Sequence, residues 1–442
     1  MIGLLRSNPE NLSFRRLGDK PLALCLLALL AIVPYLPFLG LPLISDDYLQ
    51  IHLARQFSGW RGVAQLISDP LYRCRATSLV WTYLLDAAFG VRAPVYYAAG
   101  IFLHVLNTWV VFALGRWRLI GYRWSAWAAA FFAVYEGHQE AVVWHAASPE
   151  LFLFLFSNLS LLFWVRWLQA GKRAWRSYWV AGLFFLLALA SKEPAVMIPL
   201  LLAFVSWSLG KLRESVGGLA LFAGLSIVYT VLIFTAREKH LHFNDGTFSP
   251  SAPFLWTLVN SGLRLFWFWG LLAVVTLWLA GWQRAQFLAR LSSFWIVVTL
   301  LPYSFLTYMP RVPSRHTYWA SAGLSLVVAA GLLALARRGR AQRLIPWVAA
   351  LMFAHNAGYL WIKKLPQFKQ RAAVTERFVE FARKESRPIR VRCFEVGPNL
   401  ARLAVVIRLN RPSWTIRLED DPPLPGESEA EYCSQEPGRR EP

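Results

Sequence analysis

The strongest constraint on this chain is a succession of long apolar stretches separated by short charged ones. A helix needs about 20 mostly apolar residues to cross the hydrocarbon core of a bilayer. Eleven segments read as spans: 21–44, 93–114, 124–144, 148–168, 178–192, 194–210, 216–236, 258–281, 290–309, 316–336 and 344–362. The stretch 77–90 (TSLVWTYLLDAAFG) is apolar but short and carries Asp86, so it reads as a re-entrant or interfacial helix. Hydrophobic residues make up 56% of the 442 and charged residues only 16%, against roughly 25% charged in soluble domains. That excludes a disordered chain, a small disulfide scaffold and an ordinary soluble enzyme, because too little polar surface remains to cover a core of this size. The expected fold class is an all-α polytopic membrane protein of about 11 transmembrane helices with a small extracytoplasmic α/β C-terminal unit.

Orientation follows from the cations. Arg15, Arg16 and Lys20 precede the first span, which is too long for a signal-peptide core and reads as an anchor. Counting alternately from a cytoplasmic N-terminus (1–20), every inner loop is basic: Arg116, Arg118 and Arg123; Arg166, Lys172, Arg173 and Arg176; Lys211 and Arg213; Arg284 and Arg290; Arg337, Arg338, Arg340 and Arg343. This is the positive-inside pattern, with Lys363 and Lys364 as a mild exception. The C-terminus is then outside. A net charge of +21 would point to nucleic acid in a soluble protein; here most of it is topology, and no nucleic-acid partner is expected. Residues 363–442 hold 16 basic and 12 acidic groups, and the membrane part holds 30 and 13.

The scarce acids carry more information. Ten of the thirteen before residue 363 fall on the outer side: Asp46, Asp47, Asp69, Asp86, Glu136, Glu140, Glu150, Glu193, Glu238 and Asp245. Glu238 and Asp245 read as loop solvation. The others cluster with His138, His145, Lys192, Arg237, Arg311, Arg315 and His316, and charge kept beside a bilayer marks a functional cavity.

Four clusters carry candidate chemistry. In ISDDYLQ, within a first outer loop 45–92, Asp46 and Asp47 repel each other, which raises one carboxyl towards the range of a general base. The pair also suits a divalent cation, Mg or Mn; the structural alternative, Ser45 or Asp46 capping a helix through YLQIHLARQF, explains one Asp and not both. In YRCRATS, Arg73 and Arg75 suit a phosphate or simple interfacial snorkelling. In YEGHQEAVVWHAASPEL, His138 and Glu140 meet only if a helix ends near Gly137; His145 and Glu150 read equally as a buried network bracing the turn. In SKEPA and RVPSRHTYWAS, Lys192, Glu193, Arg311, Arg315, His316 and Tyr318 flank sharp turns. Lys192 and Arg315 are candidates for a lipid-linked phosphate or for interface anchoring.

From about 363 the pattern changes to an amphipathic helix (QRAAVTERFVEFARKES), a strand (IRVRCFEV), a helix (NLARLAVVIRL) and a strand (WTIRLED), forming an α/β unit over 363–420. The Pro-rich polar tail 421–442 is expected to be disordered. No internal repeat and no broken mid-membrane helix is evident. There are four Cys, no CxxC and no zinc spacing; a Cys393–Cys433 bridge is one option.

Taken in order, these motifs resemble the GT-C glycosyltransferases, multi-span enzymes that use polyprenyl-phosphate sugars. Within them they resemble the protein O-mannosyltransferase-like branch, including the tetratricopeptide-containing mannosyltransferases. ISDDYLQ resembles the Asp motif. YRCRATSLVWTYLLDAAFGVRAPVYYAAGIFLHVLN resembles the arginine-initiated segment, with His104 and Asn107 in its last helix. GHQEAVVWHAASPELF resembles the histidine–glutamate motif, and SKEPAVMIPLLL with SRHTYWASAGLSL resembles the Lys–Glu and Arg–Tyr–Ser motifs. The resemblance spans about 20–362. Cys74 stands where proline is usual, Glu136–Gly137 replaces His–Pro, His316 replaces an aromatic, and no tetratricopeptide repeats follow.

The resemblance implies an extracytoplasmic, inverting glycosyl transfer from a polyprenyl-phosphate-sugar donor to a protein, lipid or glycan acceptor. Asp46 would act as base or orient the acceptor, and Asp47 would assist it or help bind a cation. Lys192, Arg315, Arg75 and Arg73 would hold the donor phosphate. His138, Glu140, Glu193 and Tyr318 would shape the sugar or acceptor pocket. A high Arg:Lys ratio adds the expectation of a bacterial inner membrane. A transporter or flippase of a polyprenyl-linked substrate, and a non-catalytic membrane scaffold, are the alternatives.

Overall fold

The structure, a computed structural model, describes residues 19–57, 60–239, 246–307, 311–395, 397–422 and 424–432. Of the N-terminal segment 1–20 expected to be cytoplasmic, 1–18 lie outside these residues, as do Asp245 and Cys433 of the expected bridge; Cys25 and Cys74 are free.

Helices dominate. Five are long and apolar enough to cross a membrane: Pro21–Gly40, Ala93–Arg116, His145–Ala170, Leu212–Thr235 and Ala285–Phe305. A sixth is added if the bent pair Phe254–Phe266 and Trp269–Ala280 counts as one. Trp175–Leu189, Glu193–Ser208 and Ser321–Ala336 are apolar but shorter. Five to six helices therefore meet the length and composition criterion among the described residues, fewer than the eleven segments of the sequence reading.

The differences have local causes. The first segment is α-helical over Asp19–Ile32 and tightens into a 3-10 helix over Val33–Gly40. Pro34 and Pro37 in that stretch supply no amide hydrogens for the ladder. Segment 124–144 divides into a helix Tyr122–Val134, a 3-10 turn Glu136–His138 and a helix Gln139–Val143. Gly137 is required at the break, since a Cβ there would lie 2.5 Å from the Tyr135 ring. Segment 258–281 bends by 80° between Phe266 and Trp269, where Phe268 adopts φ 57°; the expectation of no broken helix fails here. The helix over 77–90 is present as Ala76–Phe89.

Burial sorts these helices. Ser321–Ala336 is apolar on every side and is buried from Ser321 to Ala334, as expected for a helix at the centre of a bundle. Leu212–Thr235 and Trp269–Ala280 instead expose Ile227 (65%), Val228, Val231, Leu271 and Trp278 (76%). Exposed apolar side chains in this number are unfavourable in water and suit contact with lipid chains. Gly100 permits the closest internal approach: a Cβ there would stand 2.3 Å from the Val142 carbonyl oxygen.

The chain is helical without interruption from Ile345 to Lys384, through a π-helical turn at Leu360–Lys364. The compositional boundary near 363 is therefore the middle of one rod. Beyond it, β1 (Ile389–Phe394), β2 (Ile416–Leu418) and β3 (Ser428–Tyr432) form a sheet in the order β2-β1-β3, parallel throughout. Helix Pro398–Leu409 links β1 to β2, the crossover that a parallel pair needs. Residues 433–442 lie outside the described residues, but β3 gives order to Ser428–Tyr432 of the tail 421–442 expected to be disordered. Its backbone pairs with the second edge of β1, and Arg390 and Arg392 pair with Glu427 and Glu429; a polar composition conceals both.

The sheet unit is not independent of the bundle. Phe378, Val379, Val405 and Ile389 share one core with Tyr48 and Ile51 of the helix Ser45–Gln56, and with Tyr96. Arg408 Nη1 donates to Tyr48 Oη (3.2 Å) and lies 3.3 Å from Glu376. A unit of this size buries too little on its own to be stable, and the bundle supplies the missing face.

Candidate functional site

The paired aspartates part company in the structure. Both lie in the first turn of the helix Ser45–Gln56. Asp47 is fully buried; its Oδ2 accepts the Ile44 amide and its Oδ1 the Ala146 amide, each at 2.9 Å. The capping role expected of Ser45 or Asp46 thus belongs to Asp47, which reaches back from the third helical position. Asp46, half-buried beside it, makes no hydrogen bond or ion pair among the described residues. Burial raises its carboxyl above the ordinary range, and the positive charges of Arg371 and Arg315 oppose that rise. Burial pushes Asp47 up to about 7, against the two main-chain hydrogen bonds.

Two guanidiniums within electrostatic reach of Asp46 lie on one indole. The Arg315 guanidinium lies 4.9 Å from the Trp144 ring centroid and that of Arg371 lies 4.5 Å from it, within the range of cation–π attraction. Glu140 steadies the same turn: its Oε2 accepts the Arg315 amide at 3.1 Å and stands 3.9 Å from Arg315 Nη1. Gln139 Nε2 donates to Ser314 Oγ at 2.9 Å. The turns Glu136–Val143 and Ser314–Thr317 and the helix Leu365–Lys384 therefore converge on Trp144. Arg371 is the residue that sequence reasoning missed. Phe368 and Ala372 mark the buried side of its helix, but nothing in the local pattern indicates which distant ring it meets.

The cations expected to hold a phosphate are differently placed. Lys192 is buried and its Nζ is paired with Glu150 Oε1. The same oxygen lies 2.5 Å from His316 Nδ1, and Tyr303 Oη donates to Glu150 Oε2 at 2.5 Å. Glu150 sits in the first turn of the helix Ser148–Ala170, where the helix dipole favours its negative charge. It is the hub of the network that the sequence offered as one of two readings. Arg75 pairs with Glu193 at 2.9 Å, and Arg73 Nε donates to the Leu66 carbonyl at 2.9 Å. Arg315 and His316, consecutive in the chain, thus face two different sets.

His138 and Tyr318 lie in the interior of the bundle, both fully buried. His138 Nε2 is 2.7 Å from Ser321 Oγ, and its ring packs 4.4 Å from Phe132 and 4.5 Å from Tyr318. Tyr318 Oη is 2.8 Å from His104 Nδ1 and accepts from Asn107 Nδ2 at 3.2 Å. These residues brace the helices behind the Trp144 cluster, and no hydrogen bond joins them to Asp46. His145 Nε2 bonds Thr82 Oγ1 at 2.9 Å, and Asp86 holds Arg55 in a bidentate pair at 2.7 and 2.9 Å.

A paired-carboxylate site for Mg or Mn does not fit this arrangement. Each Asp47 oxygen already accepts a main-chain amide. Among the described residues no group of three or more His, Cys, Asp and Glu side chains has the geometry to hold a metal. What the cluster offers is one open carboxylate and two fixed cations, a set suited to accepting a proton beside a bound anion. No family model and no curated protein matches the chain.

Proposed function

We propose that the protein is a GT-C-like membrane glycosyltransferase that moves a sugar from a polyprenyl-phosphate donor to a protein, lipid or glycan acceptor on the extracytoplasmic face, with inversion. The observation that carries this reading is the unpartnered carboxylate of Asp46 within electrostatic reach of Arg315 and Arg371, which share Trp144. Asp46 orients the acceptor nucleophile and takes its proton. Arg315 and Arg371 hold the donor phosphate and stabilise the charge that grows on it as the anomeric carbon–oxygen bond breaks; Lys192 and Arg75 are each paired more closely with a carboxylate than Arg315 is with Glu140. The nucleophile attacks from the opposite face, hence inversion. Asp47 positions Asp46 by fixing the helix start. Eleven spans, some of them short or broken, with the N-terminus in the cytoplasm of a bacterium and the C-terminal unit outside, complete the proposal.

The test is transfer of a labelled sugar from a polyprenyl-phosphate sugar in membranes of an expressing strain. Asp46→Asn should abolish transfer while the protein inserts normally; full activity in that variant overturns the role. A second reading, a transporter or flippase, draws support from the 80° break at Phe266–Trp269, since broken helices recur in transporters. Movement of a polyprenyl-linked substrate across proteoliposomes without acceptor would favour it.

A further inference from the structure

A second site lies apart from the outer cluster, between the helices Ala93–Ala113 and Ser148–Ala170. A cavity of about 780 Å³ opens there, within the range of roughly 300–1,000 Å³ usual for small-ligand sites. Its walls are apolar, with half-buried Leu106, Trp109, Leu159 and Phe163 along the groove. From Leu155 to Gln169 the lining rises by about 21 Å along the helix axis, somewhat more than the roughly 15 Å of one leaflet's hydrocarbon.

Only one end of the cavity is polar. Arg116 and Arg118 follow the first helix, Gln169 stands in the last turn of the second and Arg166 just before that turn. All three arginines are exposed, and among the described residues none makes an ion pair or hydrogen bond. Gln169 Nε2 is buried and without an acceptor. An apolar trough of leaflet length that ends in three cations and an unmet amide donor is complementary to one kind of molecule: an acyl chain bearing an anion and ester carbonyls.

We propose that this groove binds an anionic phospholipid of the surrounding bilayer, with an acyl chain along Leu159 and Phe163 and its phosphate at Arg116, Arg118 and Arg166. The Gln169 amide donates to an ester or phosphate oxygen. The site is independent of the glycosyl-transfer reading, because none of its residues belongs to the outer cluster.

Native mass spectrometry of the full-length protein, released from neutral detergent after addition of phosphatidylglycerol or phosphatidylcholine with identical chains, tests it. Phosphatidylglycerol should be retained at concentrations at least about tenfold lower, given the contribution of each cation near an anionic headgroup. Exchanging the cations together (Arg116→Gln, Arg118→Gln, Arg166→Gln) should remove that preference. Leu159→Trp, which fills the trough, should remove the adduct. Millimolar inorganic phosphate should not compete, since the chain supplies much of the affinity. Equal retention of both lipids by the wild type, a phosphatidylglycerol adduct that survives either substitution set, displacement by phosphate alone, or a second protein copy in place of lipid would overturn the proposal. If the triple variant does not fold, Leu159→Trp and the wild-type lipid comparison decide.

Discussion

The guanidinium of Arg371 lies 4.5 Å from the ring centroid of Trp144, tying the helix that leads into the C-terminal sheet to the turn that carries Glu140. The contact makes the C-terminal unit part of the candidate site. Arg371→Ala should lower transfer activity at least about tenfold, the scale of one lost charge-assisted contact of about 1.5–3 kcal/mol. Arg371→Lys should recover only part of it, because an ammonium does not reproduce the planar fork. Initial rates against donor concentration read this out; wild-type kinetics in Arg371→Ala would remove Arg371 from the site.

Asp46 should set the acid limb of the pH–rate profile. A carboxylate must be ionised to accept a proton, so activity rises as pH rises through its pKa, which burial has raised. Arg371 opposes that rise. Removing its charge therefore moves the limb to higher pH. A limb that stays in place in Arg371→Ala would mean the two charges do not interact during turnover.

Asp47 should give the fold a pH-dependent stability of the opposite kind to a salt-bridged acid. Burial pushes its carboxyl up to about 7 in the fold, against about 3.9 in an unfolded chain. The folded state binds the extra proton. Its stabilising effect is complete below about pH 4 and is lost as pH rises through about 7. Wild-type thermal stability in detergent should fall between about pH 4 and about pH 7, and Asp47→Asn should flatten that slope. An identical slope in the variant would show that Asp47 titrates outside this window.

Glu150 and Lys192 should behave as a structural pair. Removing one partner of a buried ion pair costs about 3–5 kcal/mol, while replacing both costs far less. Lys192→Met or Glu150→Gln alone should sharply lower the melting temperature, and the double variant should regain most of it. A Lys192→Met protein that melts like the wild type but shows a raised KM for donor would instead return Lys192 to the phosphate.

The membrane character was legible in the sequence because a bilayer imposes a length and polarity on each segment that needs no knowledge of its neighbours. The C-terminal helix–strand–helix–strand order was legible for the same reason, since amphipathic periodicity is local. The clustering of Asp46, Glu140 and Arg315 could be expected from the scarcity of charge in an apolar chain. Several breaks were not. The kink at Phe268 arises from a backbone conformation that no residue pattern marks, and β3 is a polar segment whose order comes from the free edge of β1.

The division of labour among the charges was decided by the tertiary structure alone. Adjacent Asp46 and Asp47 are equivalent in sequence; only the amides of Ile44 and Ala146 make one structural and leave the other open. Lys192 and Arg315 look alike as cations beside turns, but Glu150 pairs closely with the buried first, while the half-buried second lies over Trp144 with Glu140 at 3.9 Å. Sequence determines which residues can carry charge near a bilayer, because the cost of placing them there is paid residue by residue. Which of them remains available for chemistry depends on the partners that packing brings within hydrogen-bond distance, and those partners lie far away along the chain.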